Sequence, residues 1–97
     1  MPTFEWLPLF DREWRSLSPA QQRAFRDAVA AFVDDLSEGK GFRKSLRVKK
    51  MHGREDVWEM TWARDGRATF HFGNPIAEDE VHIVWRRVGT HKIFARP

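Results

Sequence analysis

The side chains that could do acid–base and phosphate chemistry lie mainly in the second half of this sequence. Glu59 precedes Arg67 and His71 in a stretch rich in aromatic residues. A histidine or a carboxylate can transfer a proton, and an arginine can stabilise the charge that develops on a phosphate. Glu59, Arg67 and His71 together therefore suit the cleavage of a phosphodiester bond of RNA.

Metal and thiol chemistry is not expected. The chain has no cysteine, which excludes a disulfide or a thiolate metal site. The spacing of the four histidines matches no metal-binding motif, so we expect no metal and no cofactor. Those histidines are His52, His71, His82 and His91.

A basic segment, residues 39–54, contains no acid. Its lysines and arginines would suit contacts with the phosphate backbone of a nucleic acid, with a solvated loop as the alternative. They are Lys40, Arg43, Lys44, Arg47, Lys49, Lys50 and Arg54.

The elements that must position these groups are predicted to form a single α+β domain over residues 1–97. Alternating residues indicate a first strand, and Phe10, Trp14 and Leu17 lie on one face of a short helix. Ser18 begins a longer helix that ends at Glu38, with Pro19 and Gln21 as start signals. Three strands and a short C-terminal strand follow, at 57–63, 67–72, 80–88 and 90–95. The predicted order is β-α-α-β-β-β, with the helical hairpin packed on an antiparallel sheet.

The register of the central hairpin follows from burial. A three-residue loop, 64–66, with Gly66 at positive φ, pairs Thr61 with Thr69 and Glu59 with His71. It also places the aromatic residues on one face, with Trp58, Trp62, Phe70 and Phe72 beneath the long helix, and Val81, Ile83 and Trp85 facing the core. The opposite, polar face then carries Glu59, Thr61, Arg67, Thr69, His71, His82, Val84 and Arg86. Arg86 and Arg87 are expected on opposite faces, and a Glu59–His71 pair that merely solvates the sheet is the alternative interpretation.

Four motifs in order resemble the RelE/ParE superfamily of toxins. They are SLRVKKMHG at 45–53, VWEM at 57–60, DGRATF at 65–70 and WRRVGTHKIF at 85–94. This resemblance implies a cytoplasmic toxin that is held by an antitoxin. Its targets would be the ribosome and mRNA. We expect no membrane partner, and the oligomeric state stays open.

The resemblance also implies roles for particular residues. Arg67 would grip the phosphate with Arg86 or Arg87, Glu59 would act as a base, and His91 would lie in the segment that often holds a catalytic side chain. From residues and resemblance together, the candidate catalytic residues are Glu59, Arg67, His71, Arg86 and His91. The candidate RNA-binding residues are Arg43, Lys44, Arg47, Lys49, Lys50, Arg54 and Arg87.

One departure from the family pattern keeps a second function open. Phe94 stands where many relatives have tyrosine, and the sequence contains no tyrosine. Either His91 takes that role, or the chain is a ParE-like inhibitor of DNA gyrase or a binding protein without catalysis.

Overall fold

The computed structural model describes residues 2–54 and 56–97 and confirms the α+β class. The helices and strands are β1 (Thr3–Trp6), α1 (Pro8–Ser16), α2 (Pro19–Glu38), β2 (Lys49–Lys50), β3 (Trp58–Thr61), β4 (Arg67–Gly73) and β5 (His82–Gly89). Two 3₁₀ turns lie at Lys44–Leu46 and His91–Ala95. No helix in the described ranges is long and apolar enough to cross a membrane.

Helix α2 begins as predicted. The Ser18 hydroxyl accepts a hydrogen bond from the Gln21 N–H, and the Gln21 side chain accepts one from the Ser18 N–H. Gly39 ends the helix with a φ of 69°, a conformation in which glycine carries no steric penalty.

The sheet has the order β1-β5-β4-β3-β2 and is mixed. The predicted antiparallel arrangement is correct for β3 to β5 and wrong for β1, which runs parallel to β5 with Thr3 opposite His82. No short hairpin joins β1 to β5, so loop geometry does not impose an antiparallel direction. The predicted C-terminal strand is also wrong: the Thr90 hydroxyl accepts the Lys92 N–H and starts a 3₁₀ turn there.

The core lies between α1, α2 and one face of the sheet. The ring centroid of Phe25 lies 6.2 Å from that of Trp62, and the centroid of Phe32 lies 5.2 Å from that of Phe70. The prediction that the aromatic face lies beneath α2 is therefore confirmed for Trp62 and Phe70. Phe72 is 42% exposed at an uncovered end of the same face. Val81, predicted to face the core, is exposed as well, since β5 begins only at His82.

The predicted pairing of β3 with β4 is wrong by two residues. Thr61 pairs with Arg67 and Glu59 with Thr69. A shift by two keeps every side chain on its predicted face. The loop spans residues 62–66 because the Trp62 N–H donates to the Gly66 carbonyl and the Trp62 ring covers Gly66.

The reason for a glycine at 66 also differs from the prediction. Gly66 is not among the residues with positive φ. A Cβ at this position would lie 2.6 Å from atoms of the Trp62 ring. Glycine is needed here for the close approach of the indole.

A β-bulge interrupts the pairing of β4 with β5. Phe70 pairs with Trp85 and Thr69 pairs with Arg87, so Arg86 is an extra residue without a partner in the ladder. Because paired residues share a face, Arg87 lies on the side of Thr69, away from the aromatic core. The prediction that Arg86 and Arg87 lie on opposite faces is wrong because of this bulge.

Candidate functional site

His71 and Arg86 are in contact on the face opposite the core. Nη1 of Arg86 lies 3.0 Å from Nδ1 of His71, and Nε of Arg86 donates to the Pro97 backbone oxygen at 3.0 Å. Partial burial and the positive charge of Arg86 lower the pKa of His71. An arginine only donates, so Nδ1 accepts and the proton of neutral His71 lies on Nε2. His71 thus offers an N–H donor to a ligand.

Glu59 occupies the neighbouring strand on the same face. Its cross-strand partner is Thr69, so Arg67 and His71 are both its diagonal neighbours, about 7–8 Å away between backbone positions. Nζ of Lys49 lies 3.9 Å from Oε1 of Glu59. Glu59 can accept a proton, and its diagonal position places it beside both His71 and Arg67.

A second polar cluster lies at the loop that joins β3 to β4. Oδ1 of Asp65 is 2.8 Å from Nδ1 of His91. The hydrogen bond from His91 lowers the pKa of Asp65, and the charge of Arg67 contributes further. A carboxylate only accepts hydrogen bonds, so Nδ1 of His91 carries a proton. The contact with Asp65 does not determine whether Nε2 is protonated.

Arg67 connects the second cluster to the polar face. Its Nη1 donates to the carbonyls of Ala63, Arg64 and Gly66, which holds the loop closed. Within the described ranges, its Nε and Nη2 have no hydrogen-bond partner.

The five predicted catalytic residues thus form two groups on one side of the molecule. Glu59, His71 and Arg86 make one group, and Arg67 and His91 make the other. Arg67 and His71 are four residues apart in β4, which corresponds to about 13 Å along the strand. Glu59 lies next to both groups.

Two of the predicted RNA-binding residues are held by carboxylates. Arg43 donates to Asp35 through Nε at 3.0 Å and Nη2 at 2.9 Å, and this contact lowers the pKa of Asp35. Arg87 donates to Glu13 through Nε at 3.1 Å and Nη2 at 2.7 Å. These two arginines fix the basic segment to α2 and β5 to α1.

The other predicted RNA-binding residues are exposed. Nζ of Lys50 lies 5.7 Å from the ring centroid of Trp58, at the edge of the core. Lys49 faces Glu59, as described above. Lys44, Arg47 and Arg54 make no side-chain hydrogen bond or ion pair within the described ranges.

Sequence reasoning missed the groups that hold the candidate residues. Asp65, Asp35 and Glu13 each fix one basic side chain, and Pro97 accepts hydrogen bonds from both Arg86 and Thr69. The turn-forming pair of Asp65 and Gly66 was a visible signal. Nothing in the sequence indicated that this turn meets His91.

His82 is buried and has a structural role. Its Nε2 lies 2.8 Å from Glu5 Oε1, and its Nδ1 lies 2.7 Å from the Thr3 hydroxyl. These contacts join β1 to β5 side by side. In the part of the chain that the structure describes, no group of three or more His, Asp or Glu could hold a metal ion.

The fold is that of the RelE-like toxins of toxin–antitoxin systems. No protein-family profile matches the sequence, and no curated protein matches it either.

Three solved structures carry the likeness. The E. coli DinJ–YafQ toxin–antitoxin complex matches with a TM-score of 0.62 and 13% identity, over 94% of this chain and 93% of that one. The RelB–RelE antitoxin–toxin complex from Methanococcus jannaschii gives 0.59 and 12%, over 94% of each chain. The YoeB/ParE toxin from Agrobacterium tumefaciens gives 0.57 and 12%, over 92% of this chain and 98% of that one. At these identities the likeness establishes the fold.

Proposed function

We propose that this chain is the toxin of a toxin–antitoxin module and acts in the cytoplasm as a ribosome-dependent mRNA endoribonuclease. The observation that carries the proposal is the polar face of the sheet, where Glu59 lies between a histidine–arginine pair and the Arg67–His91 group. The fold shared with YafQ and RelE structures supports it.

The cleavage uses side chains alone. Glu59 takes the proton of the attacking 2′-hydroxyl, since His71 carries its proton on Nε2 and is better suited to donate. Arg67 and Arg86 stabilise the negative charge on the phosphate in the transition state. Doubly protonated His91, whose Nδ1 proton is held by Asp65, gives its Nε2 proton to the leaving 5′ oxygen as the bond from phosphorus to that oxygen breaks.

The test is cleavage of an mRNA bound to purified ribosomes. His91→Ala and Glu59→Gln should each slow cleavage on the order of 10²–10⁴-fold, the usual contribution of a general acid or base. Lys92→Ala removes a charge next to His91 and should cleave at the wild-type rate. Wild-type rates in both His91→Ala and Glu59→Gln would overturn this mechanism.

One observation favours a second candidate, inhibition of DNA gyrase without catalysis. The chain has no tyrosine, and the half-buried Phe94 stands where many RelE-like toxins have one. A supercoiling assay with purified gyrase separates the two candidates. Inhibition of supercoiling without cleavage of ribosome-bound mRNA would replace the endoribonuclease by the gyrase inhibitor.

The proposed antitoxin is a separate chain. The exposed cations of the basic segment and the polar face would suit an acidic or apolar segment that covers them. The DinJ–YafQ and RelB–RelE structures are complexes of this kind. A co-purified antitoxin should protect ribosome-bound mRNA from cleavage when it is added at equal concentration.

A further inference from the structure

An open groove of about 660 Å³ lies beside the polar face, between α2, the basic segment and the loop from β3 to β4. Three alanines of α2 leave room along one wall, and Leu46 and Trp62 form buried parts of the others. Four arginines line it: Arg43, Arg47, Arg64 and Arg67. Asp27 is the acid among its lining residues.

The charges of these arginines are not equally available. Arg43 is neutralised by Asp35, with its Nη2 at 2.9 Å from Oδ1. Arg47 and Arg64 are exposed, and within the described ranges neither side chain makes a hydrogen bond or ion pair. Together with Arg67 they give the groove a net excess of two positive charges over Asp27.

The groove continues directly from the polar face. Thr61 and Arg67 are cross-strand partners on that face, and both also line the groove. Arg67 lies about 13 Å along β4 from His71. A chain molecule bound at His71 and Arg86 can therefore pass Arg67 and enter the groove, whereas a single phosphate group cannot reach both places.

Arginine is the side chain suited to phosphate at such a place. Its planar guanidinium donates two parallel hydrogen bonds to a phosphate, which a lysine cannot do. The apolar and small residues between the arginines leave space for a chain without adding competing charge.

We propose that this groove binds the backbone phosphates of single-stranded RNA flanking the cleaved bond, with Arg64 and Arg47 as the phosphate-binding residues. The proposal rests on the proposed function, because it extends the RNA path from the polar face. It assigns a binding role to Arg64, which no motif indicated, and removes Arg43 from the contact surface.

The test measures binding of 2′-O-methyl RNA, which cannot be cleaved through its 2′ oxygen, by fluorescence anisotropy over a range of salt concentrations. Arg64→Ala and Arg47→Ala should each weaken binding on the order of tenfold. Each should also reduce the slope of log affinity against log salt by about 0.7. Arg12→Ala on α1 removes the same charge outside the groove and should leave the slope unchanged. Arg64→Lys should keep most of the slope and lose part of the affinity.

The length of the RNA distinguishes binding in the groove from binding at the polar face. A dinucleotide should bind wild type and Arg64→Ala equally, because it cannot span the two places. A wild-type affinity and slope for long RNA in Arg64→Ala, with native circular dichroism, would overturn the groove proposal. If Arg64→Ala binds a polyaspartate peptide more weakly than wild type but binds RNA equally well, the groove proposal is also overturned. The groove would then be a site for acidic peptides.

Failure of the endoribonuclease proposal can be distinguished from failure of the groove proposal. If wild type cleaves mRNA on the ribosome while Arg64→Ala binds RNA normally, only the groove proposal is lost. If wild type does not cleave but Arg64→Ala weakens RNA binding, the groove remains an RNA-binding site, and both the endoribonuclease proposal and the placement of the groove beside a cleaved bond are lost.

Discussion

Replacing Phe32 with alanine tests how α2 holds the face of the sheet in place. The Phe32 side chain is fully buried and contacts three rings, with centroid distances of 5.0 Å to Phe42, 5.2 Å to Phe70 and 5.7 Å to Trp85. Its removal leaves a cavity between helix and sheet that these rigid rings cannot refill. The expected loss is about 3–5 kcal/mol.

That loss is large for a domain of this size. A chain of this length has a free energy of unfolding of roughly 5–15 kcal/mol. The melting temperature should fall by at least ~12 °C, at about 4 °C or more for each kcal/mol. Urea unfolding followed by tryptophan fluorescence should show a midpoint lower by about 1 M or more, with an unchanged m-value.

Phe72 supplies the matched control. It contacts the same Phe70 ring, at 5.7 Å, but is 42% exposed where no helix covers the sheet. Phe72→Ala should therefore cost only about 1–1.5 kcal/mol. Equal losses in Phe32→Ala and Phe72→Ala would refute the assignment of the core to the helix-covered part of the face.

Three further outcomes follow from single contacts. Arg86→Gln removes the positive charge beside His71 and should raise the pKa of His71 towards its ordinary value of 6.5; an unchanged NMR titration of the His71 ring protons would contradict the contact. Folding lowers the pKa of His71, so the unfolded chain takes up a proton at this side chain more readily than the folded protein does. The free energy of unfolding therefore keeps its full His71 contribution above pH 6.5 and declines as the pH falls towards the folded pKa. His71→Gln should flatten the decline of stability in that range, as measured by urea unfolding at several pH values. Gly66→Ala should cost about 1–3 kcal/mol because its Cβ would overlap the Trp62 ring, and full stability in Gly66→Ala would show that the loop adjusts freely.

Local patterns were sufficient to predict the helices and the faces of the central hairpin. The capping residues Ser18 and Gln21 act within one helical turn, so the sequence contains everything their geometry needs. The faces of β3 and β4 depend only on alternation. The exact pairing depended on Trp62 closing over Gly66, a contact that alternation does not encode.

The bulge at Arg86 had a visible sequence signal that simple alternation overlooks. Trp85 and Val88 are both apolar yet three residues apart, and a regular strand cannot place such a pair on one face. Both side chains are buried in the structure. A bulge between them is the local solution.

Contacts between distant parts of the chain could not be predicted in this way. The parallel pairing of β1 with β5, and the contact of Asp65 with His91, join residues whose approach is set by the packing of the whole domain. The candidate site was therefore predicted as a set of residue types on one face. Its division into two groups, and the tautomer of His71 and the protonation of His91 at Nδ1, required the structure.

The bulge also has an evolutionary consequence. Arg86 is the unpaired residue of β5, so an in-frame deletion of its codon would leave Trp85 opposite Phe70 and Arg87 opposite Thr69 in an uninterrupted ladder. Such a deletion would keep every core residue on its face and remove the arginine that we propose binds the phosphate. We expect this single genetic event to yield a folded but harmless protein, so persistence of the extra residue would reflect selection on activity rather than on folding.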